Sequence, residues 1–290
     1  MSTEPGTVNE RTILRQLARV QMLRYARHPL FLIGFTVAIA GASWDVVSNP
    51  NLDPSRDGGL HFYSAFLLGV LGLIVSYRLT RTEQRALAVL PSAPISSRVR
   101  TLALCAASLV PALAAVLVLT VASLGWRLFP PSYLQTLLDA MPAADFGAWI
   151  LGSTAVAGLG GSLLGVVVGR WWRFPGAGAM AAVLVVVLAV AANIFATEFA
   201  DSPSVASRAG LVSPWIVWLD LEQIIVDVSD VVLIPGSAVG HLVYIIGLCG
   251  LAVWAAVIKD AEGVERSRWM RNGAIALVIA VGGLAWAIFG

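Results

Sequence analysis

Seven long apolar runs, nearly free of charge, govern what this chain can fold into. They occupy residues 30–47, 61–77, 101–125, 147–169, 179–197, 238–258 and 273–289. A helix crosses the roughly 30 Å hydrocarbon layer in about 20 residues, with about 17–25 tolerated. The runs are continuously apolar rather than alternating, so barrel strands do not account for them. Over 290 residues the chain is 58% hydrophobic and 12% charged, against about 25% charged in an average soluble domain. That leaves too little polar surface to coat a water-soluble globule, which excludes a soluble enzyme, a nucleic-acid reader and a disordered tail. The expected fold is all-α, a polytopic transmembrane helix bundle of six to seven spans with an N-terminal amphipathic interfacial helix.

Basic residues give the orientation, because Arg and Lys are retained on the cytoplasmic side. With the N-terminus inside, sixteen of the nineteen basic residues fall in inner segments, and only Arg56, Arg127 and Arg208 fall outside. The expectation is a multi-pass protein of the plasma membrane with a cytoplasmic N-terminus. The first 29 residues hold five Arg without the apolar core of a signal peptide, so the first permanent span is expected to start insertion. Three organisational units follow: 1–29 with the interfacial helix, a six-span core at 30–258, and 259–290 as a charged inner loop plus a seventh span.

The span interiors carry little chemistry. Runs 101–125, 147–169 and 179–197 contain no Asp, Glu, Lys, Arg or His. Asp45, His61 and His241 lie near outer span ends. Ion-coupled carriers ordinarily hold their ion with a buried carboxylate, a His or an unwound helix, so this class is disfavoured. An intramembrane enzyme built on a Ser–His pair or a metal is disfavoured equally. Ser beside Gly in GASW (41–44) and GSTA (152–155) reads as helix packing rather than catalysis. Cys105 and Cys249 sit in apolar runs and read as small packing residues. The one Lys, Lys259, has no Gly-rich turn before it, so no P-loop exists. No catalytic, cofactor or metal site is expected in this chain.

Two inner segments have the pattern of docking elements. Across residues 10–27, Ile13, Leu14, Leu17 and Val20 share one side while Arg15 and Arg19 point away. Such a helix suits the lipid interface, and a plain anchor is the simpler alternative. The loop 78–100 reads RLTRTEQRALAVLPSAPISSRVR. Thr80 and Glu83 have capping-box spacing, predicting a helix start near Arg81. Ala86, Leu87, Val89 and Leu90 supply an apolar side before Pro91 and Pro94 break the chain, and Ser96 or Ser97 is placed to cap the next span. The alternative is a loop helix that packs on its own bundle.

With these segments the chain resembles the permease subunit of an ABC-type exporter, in the branch exporting drugs, polysaccharides and O-antigens. The resemblance implies that Ile13, Leu14, Leu17 and Val20 form the elbow helix. It implies that Arg81, Glu83, Arg85, Leu87 and Leu90 form the coupling helix that docks on a separate ABC ATPase subunit. ATP and Mg would be bound by that partner. A second permease, identical or not, completes the pathway, and the cargo is hydrophobic or amphipathic: a drug, a lipid or a modified peptide. Such permeases usually have six spans, and the seventh here departs from the pattern. A membrane-embedded structural or assembly protein is the alternative, then an intramembrane enzyme.

Three further features complete the reading. Ser153, Ala157, Gly161, Gly165 and Gly169 recur every four residues, a stripe that lets another helix approach closely, in this chain or a second copy. In the outer segment 198–237, Ser213-Pro214 starts a short helix resting in the outer interface. Asn193, deep in the fifth run, either bonds to a neighbouring helix or faces the pathway.

Overall fold

The computed structural model describes residues 10–48, 67–89, 95–128, 142–198, 211, 225–226, 231–232 and 236–290. The architecture is helical. In chain order the helices are α1 (Glu10–Ala26), α2 (Pro29–Ser48), α3 (Leu71–Val89), α4 (Ser97–Ala107), α5 (Leu109–Leu128), α6 (Ala143–Leu151), α7 (Ala157–Trp171), α8 (Ala177–Glu198), α9 (Ala238–Ile258) and α10 (Gly263–Phe289). One two-residue antiparallel pairing, Ile225–Val226 with Val231–Val232, is the extended structure among the described residues.

Four helical stretches are long and apolar enough to cross a membrane: Ser97–Gly125, Ala143–Trp171, Ala238–Ile258 and Gly263–Phe289. A fifth arises if α1 and the start of α2, bent by 64° at their junction, count as one span. The chain is therefore a helical membrane protein with about four to five candidate spans among the described residues. The seven runs of the sequence are more than this. Run 61–77 begins at residues outside the described set, and in α8 the side chains past Ala191 lie outside it as well, so that only the stretch Ala177–Ala191 counts there as an apolar helix.

Two stretches are spliced rather than uniform. α4 gives way to α5 at Ser108, whose amide donates to the Cys105 carbonyl. α6 joins α7 through a π turn, Gly152–Val156, where Ser153 and Thr154 both donate their hydroxyls back to the Ile150 carbonyl. A wider turn leaves that carbonyl reachable by side chains. Both hydroxyls of the GSTA segment are thus spent on local backbone.

α7 stands at the centre, packed on α3, α5 and α9. Its glycines make this possible, because lipid offers helices no hydrophobic drive to associate and close backbone packing must supply it. A Cβ on Gly161 would lie 2.3 Å from the Gly69 carbonyl oxygen, and one on Gly165 would lie 2.2 Å from that of Leu73. Gly169 meets the Thr80 side chain. The partner of this part of the stripe is α3 with its preceding turn, in the same chain. Ser153 and Ala157 are buried, and Gly158, off the stripe, faces Pro111 of α5.

The sequence reading missed a second seam of this kind. α9 and α10 pack antiparallel through Gly240 against Ala287, Gly247 against Ala280, and Gly283 against Tyr244. The spacing of seven in 240/247 and 280/287 was the available signal. α10 holds the bundle almost solely through α9, and its other faces are exposed.

A chain of buried hydroxyls links the helices at the centre of the bundle. Ser162 of α7 donates to Ser108 at 3.0 Å and lies 2.6 Å from Ser76 of α3. A hydroxyl has one proton, so Ser76 donates to Ser162 and the three form a directed chain from α3 through α7 to the α4–α5 junction. Cys105 and Cys249 are buried as free thiols beside Leu104, Leu163 and Val166.

Replacing Gly161 by Ala is expected to lower the midpoint of thermal unfolding in detergent by several degrees, since overpacking costs about 1–3 kcal/mol. Gly282→Ala, where a Cβ meets nothing within 4 Å, is expected to leave the midpoint unchanged.

Candidate functional site: a charged cluster joining five helix ends

The ends of α3, α7 and α9 and the beginnings of α4 and α10 meet at one end of the bundle, and most of its basic residues gather there. Arg170 of α7 pairs with Asp260 just after α9. Arg98 of α4 pairs with Glu265 of α10. Thr101 of α4 donates to the Ser97 carbonyl at 3.0 Å with Asp260 3.5 Å from its hydroxyl, and Gln21 of α1 donates to Glu83 of α3 at 3.2 Å. At the opposite end, Asp145 of α6 accepts from the Val239 amide at the start of α9. That is an N-terminal cap supplied from another helix. The sequence reading passed over Asp145, whose role depends on a neighbour 94 residues away.

Glu83 occupies the middle of the cluster. It lines a cavity with Thr80, Gln84, Ser97, Arg100, Thr101, Leu104 and Arg170. The cavity has room for about one water. Burial raises the Glu83 carboxyl above its ordinary value, and the nearby Arg100, Arg170 and Arg24 guanidiniums only partly offset it. Three acids, Glu83, Asp260 and Glu265, among several guanidiniums suit a fastening between helices better than a reaction centre.

This geometry corrects the expected helix start near Arg81. α3 runs unbroken from Leu71 to Val89, and Thr80 is no cap. Its hydroxyl donates to the Ser76 carbonyl one turn earlier, at 2.8 Å, and its side chain is buried under Gly169. The apolar run simply continues as a helix into the polar zone, and a spacing that matches a capping box also occurs inside a helix. Glu83 turns inward to the cluster, while Arg85 is exposed. Arg81 is half-buried and donates to Gln84 and to the Arg173 carbonyl, each at 3.0 Å. The side chains of Leu87, Leu90 and Asn193 lie outside the described set, as do Pro91, Pro94 and the helix expected after Ser213. Ser96 caps α4 by accepting from the Val99 amide at 3.3 Å.

α1 also differs from the simple amphipathic reading. Its buried residues are Gln21 and Tyr25, and it packs chiefly on α4. Ile13, Leu14 and Leu17 are half-buried, whereas Val20 is exposed. The Tyr25 hydroxyl fills the space left by Gly72, where a Cβ would lie 2.9 Å from it. A polar Gln and Tyr face the bundle because Glu83 and the serine chain await them, a partnership invisible to apolar periodicity. Arg11, Arg15, Arg19 and Arg24 stay on the exposed side.

Comparisons with protein-family models, with curated proteins and with solved structures return no match for this chain.

The two ion pairs differ in burial, and so in worth. Arg170 and Asp260 side chains are 11% and 19% exposed, against 27% and 54% for Arg98 and Glu265. Arg170→Gln, which strands Asp260, is expected to cost about 2–4 kcal/mol, and Arg98→Gln under about 1 kcal/mol, both read by denaturant titration in detergent. For Glu83, the raised carboxyl means that folding favours the protonated form. That stabilisation is complete below the unfolded value of about 4.5 and is lost as pH rises through the higher folded value. The melting temperature of Glu83→Gln minus that of the unmodified protein is therefore expected to increase from about pH 4 to about pH 7. A flat difference would contradict the buried placement of Glu83.

Proposed function

We propose that this chain is the membrane-spanning permease subunit of an ATP-driven exporter, working with a second permease and two separate ATPase subunits. The observation that carries the reading is the inner extension of α3. This helix continues past the apolar zone, and its charged turns are tied to α1 through Gln21 and share a cavity wall with α4 and α7. A force applied to residues 81–89 is thereby delivered to several helices together. On this reading Glu83 transmits the force, Arg85 faces the ATPase and Leu87 and Leu90 belong to the docking surface, with α1 as the interfacial elbow at the plasma membrane. The concentration of Arg at this end supports a cytosolic placement for it on this reading, with the N-terminus on the same side.

A further point supports a passive, partner-driven subunit. Among the described residues, the fully buried polar side chains include Ser, Thr, Gln21 and Tyr25, which suit interhelical bonding, while the buried carboxyl, Glu83, lies in the charged cluster at the helix ends rather than inside a candidate span. On this reading the cargo pathway lies between the two permeases. Such a pathway, lined by Leu, Val, Ala and Phe, suits a hydrophobic or amphipathic cargo, whether drug, lipid or modified peptide.

Affinity purification in mild detergent is expected to bring along a soluble ATPase of about 25–35 kDa, the size of one or two ordinary domains. Arg85→Glu is expected to reduce that association about tenfold while membrane insertion persists, and Glu83→Gln is expected to retain association. Purification with no such companion, or full association of Arg85→Glu, would overturn the docking assignment.

A further inference from the structure

The turn between α7 and α8, residues 171–176, is built more firmly than a connection between two helices requires. Its backbone is held from both sides. Tyr77 and Arg81, one turn apart on α3, donate to the carbonyls of Phe174 at 3.3 Å and Arg173 at 3.0 Å. Lys259, at the end of α9, donates to the Arg170 carbonyl. These bonds satisfy carbonyls that a helix terminus leaves without partners. Gly176, at φ +85°, turns the chain, and the Tyr77 ring occupies the space beside Gly178.

The side chains of this fixed turn point outward. Trp171 and Phe174 are 48% and 44% exposed, and Arg173 is exposed. Lys259 stands over the Trp171 ring, 5.3 Å from its centroid, while the indole N–H donates to the Ala255 carbonyl at 2.8 Å. Four cations therefore surround one turn: Arg81, Arg170, Arg173 and Lys259. Among the described residues, Asp260 is the acid paired there, and it is engaged by Arg170. Burial, then Arg173 and Arg170 close by, lower the Lys259 ammonium from its ordinary value, which marks the same surplus of positive charge. Exposed indole and phenyl rings beside unpaired cations, at the end of a membrane-length helix, match the boundary between acyl chains and headgroups.

We infer that the α7–α8 turn and Lys259 form a binding site for the phosphate headgroup of an anionic phospholipid in the leaflet at the basic end. The Lys259 ammonium and Arg173 guanidinium hold the phosphate, and Trp171 and Phe174 lie along the upper acyl chain. Charge complementarity selects the occupant, since a zwitterionic headgroup brings its own cation into a site already rich in them. The inference needs only membrane residence and stands whether or not the chain is a permease.

The test is thermal unfolding of the full chain in neutral detergent, titrated with phosphatidylglycerol, phosphatidylcholine or inorganic phosphate. Phosphatidylglycerol is expected to raise the midpoint saturably, and the other two to leave it in place. Arg173→Gln and Lys259→Gln are each expected to weaken the apparent affinity for phosphatidylglycerol roughly fivefold. Lys259→Gln also removes a backbone bond, so the readout is the lipid-dependent shift of each variant against its own lipid-free midpoint. Arg173→Gln, whose side chain fastens no carbonyl of the turn, keeps the test decisive if Lys259→Gln unfolds. An equal response to phosphatidylcholine, an equal response to inorganic phosphate, or an undiminished phosphatidylglycerol response in Arg173→Gln would overturn the site.

Discussion

Backbone-to-backbone contact between α3 and α7 is the constraint from which the rest of the structure follows. Gly161 and Gly165 admit the carbonyls of residues 69 and 73, and Gly169 admits Thr80. These contacts follow one another in the same direction along both helices. One residue beyond Gly169 comes Arg170, and three beyond Thr80 comes Glu83, so the seam delivers this pair into one cavity. Any side chain larger than hydrogen along the seam separates the helices and, with them, the charged groups. The serine chain from Ser76 through Ser162 to Ser108 carries the same alignment across to α4 and α5.

The energetic logic is that of a protein solvated by lipid. Large apolar side chains such as Leu113, Val183 and Val278 point outward, while Ala, Gly and Ser fill the contacts between helices. Exposed leucines would be a liability in water, but in a bilayer they are the solvent-facing surface. Polar fastening is concentrated at helix ends, where desolvation is partial and ionic contacts retain value. The cluster of Arg170, Asp260, Glu83 and Arg100 occupies such a zone.

What could be read in the sequence followed from properties local to a run. The helical class, the apolar stretches, a cap at Ser96 or Ser97 and the glycine stripe all depend on composition or on spacings within one element; the helical class is observed, Ser96 is the residue that caps α4, and Gly161, Gly165 and Gly169 meet α3 and its preceding turn. The span count is only partly matched, because membrane length is met by four to five stretches among the described residues. The inward turn of Glu83 was not legible. Thr80 and Glu83 have the same spacing at a helix start as in its interior, and only Gly169 pressing on Thr80 selects the latter. Gln21 and Tyr25 were overlooked for a related reason: apolar periodicity assigns polar residues to the outside, whereas their partners, 62 residues away for Gln21, hold them in. Asp145 likewise gains its role only once distant segments have met, whereas the α9–α10 seam had a signal in its spacing of seven.

The central claim is that α3 and the neighbouring helix ends move as one body at the basic end. Double electron–electron resonance between spin labels at the exposed positions 85 and 268, with the protein in lipid nanodiscs, addresses it directly. The account predicts a single narrow distance distribution that broadens when Arg170 is replaced by Gln. A broad or multiple distribution in the otherwise unmodified protein, or one indifferent to Arg170, would contradict it.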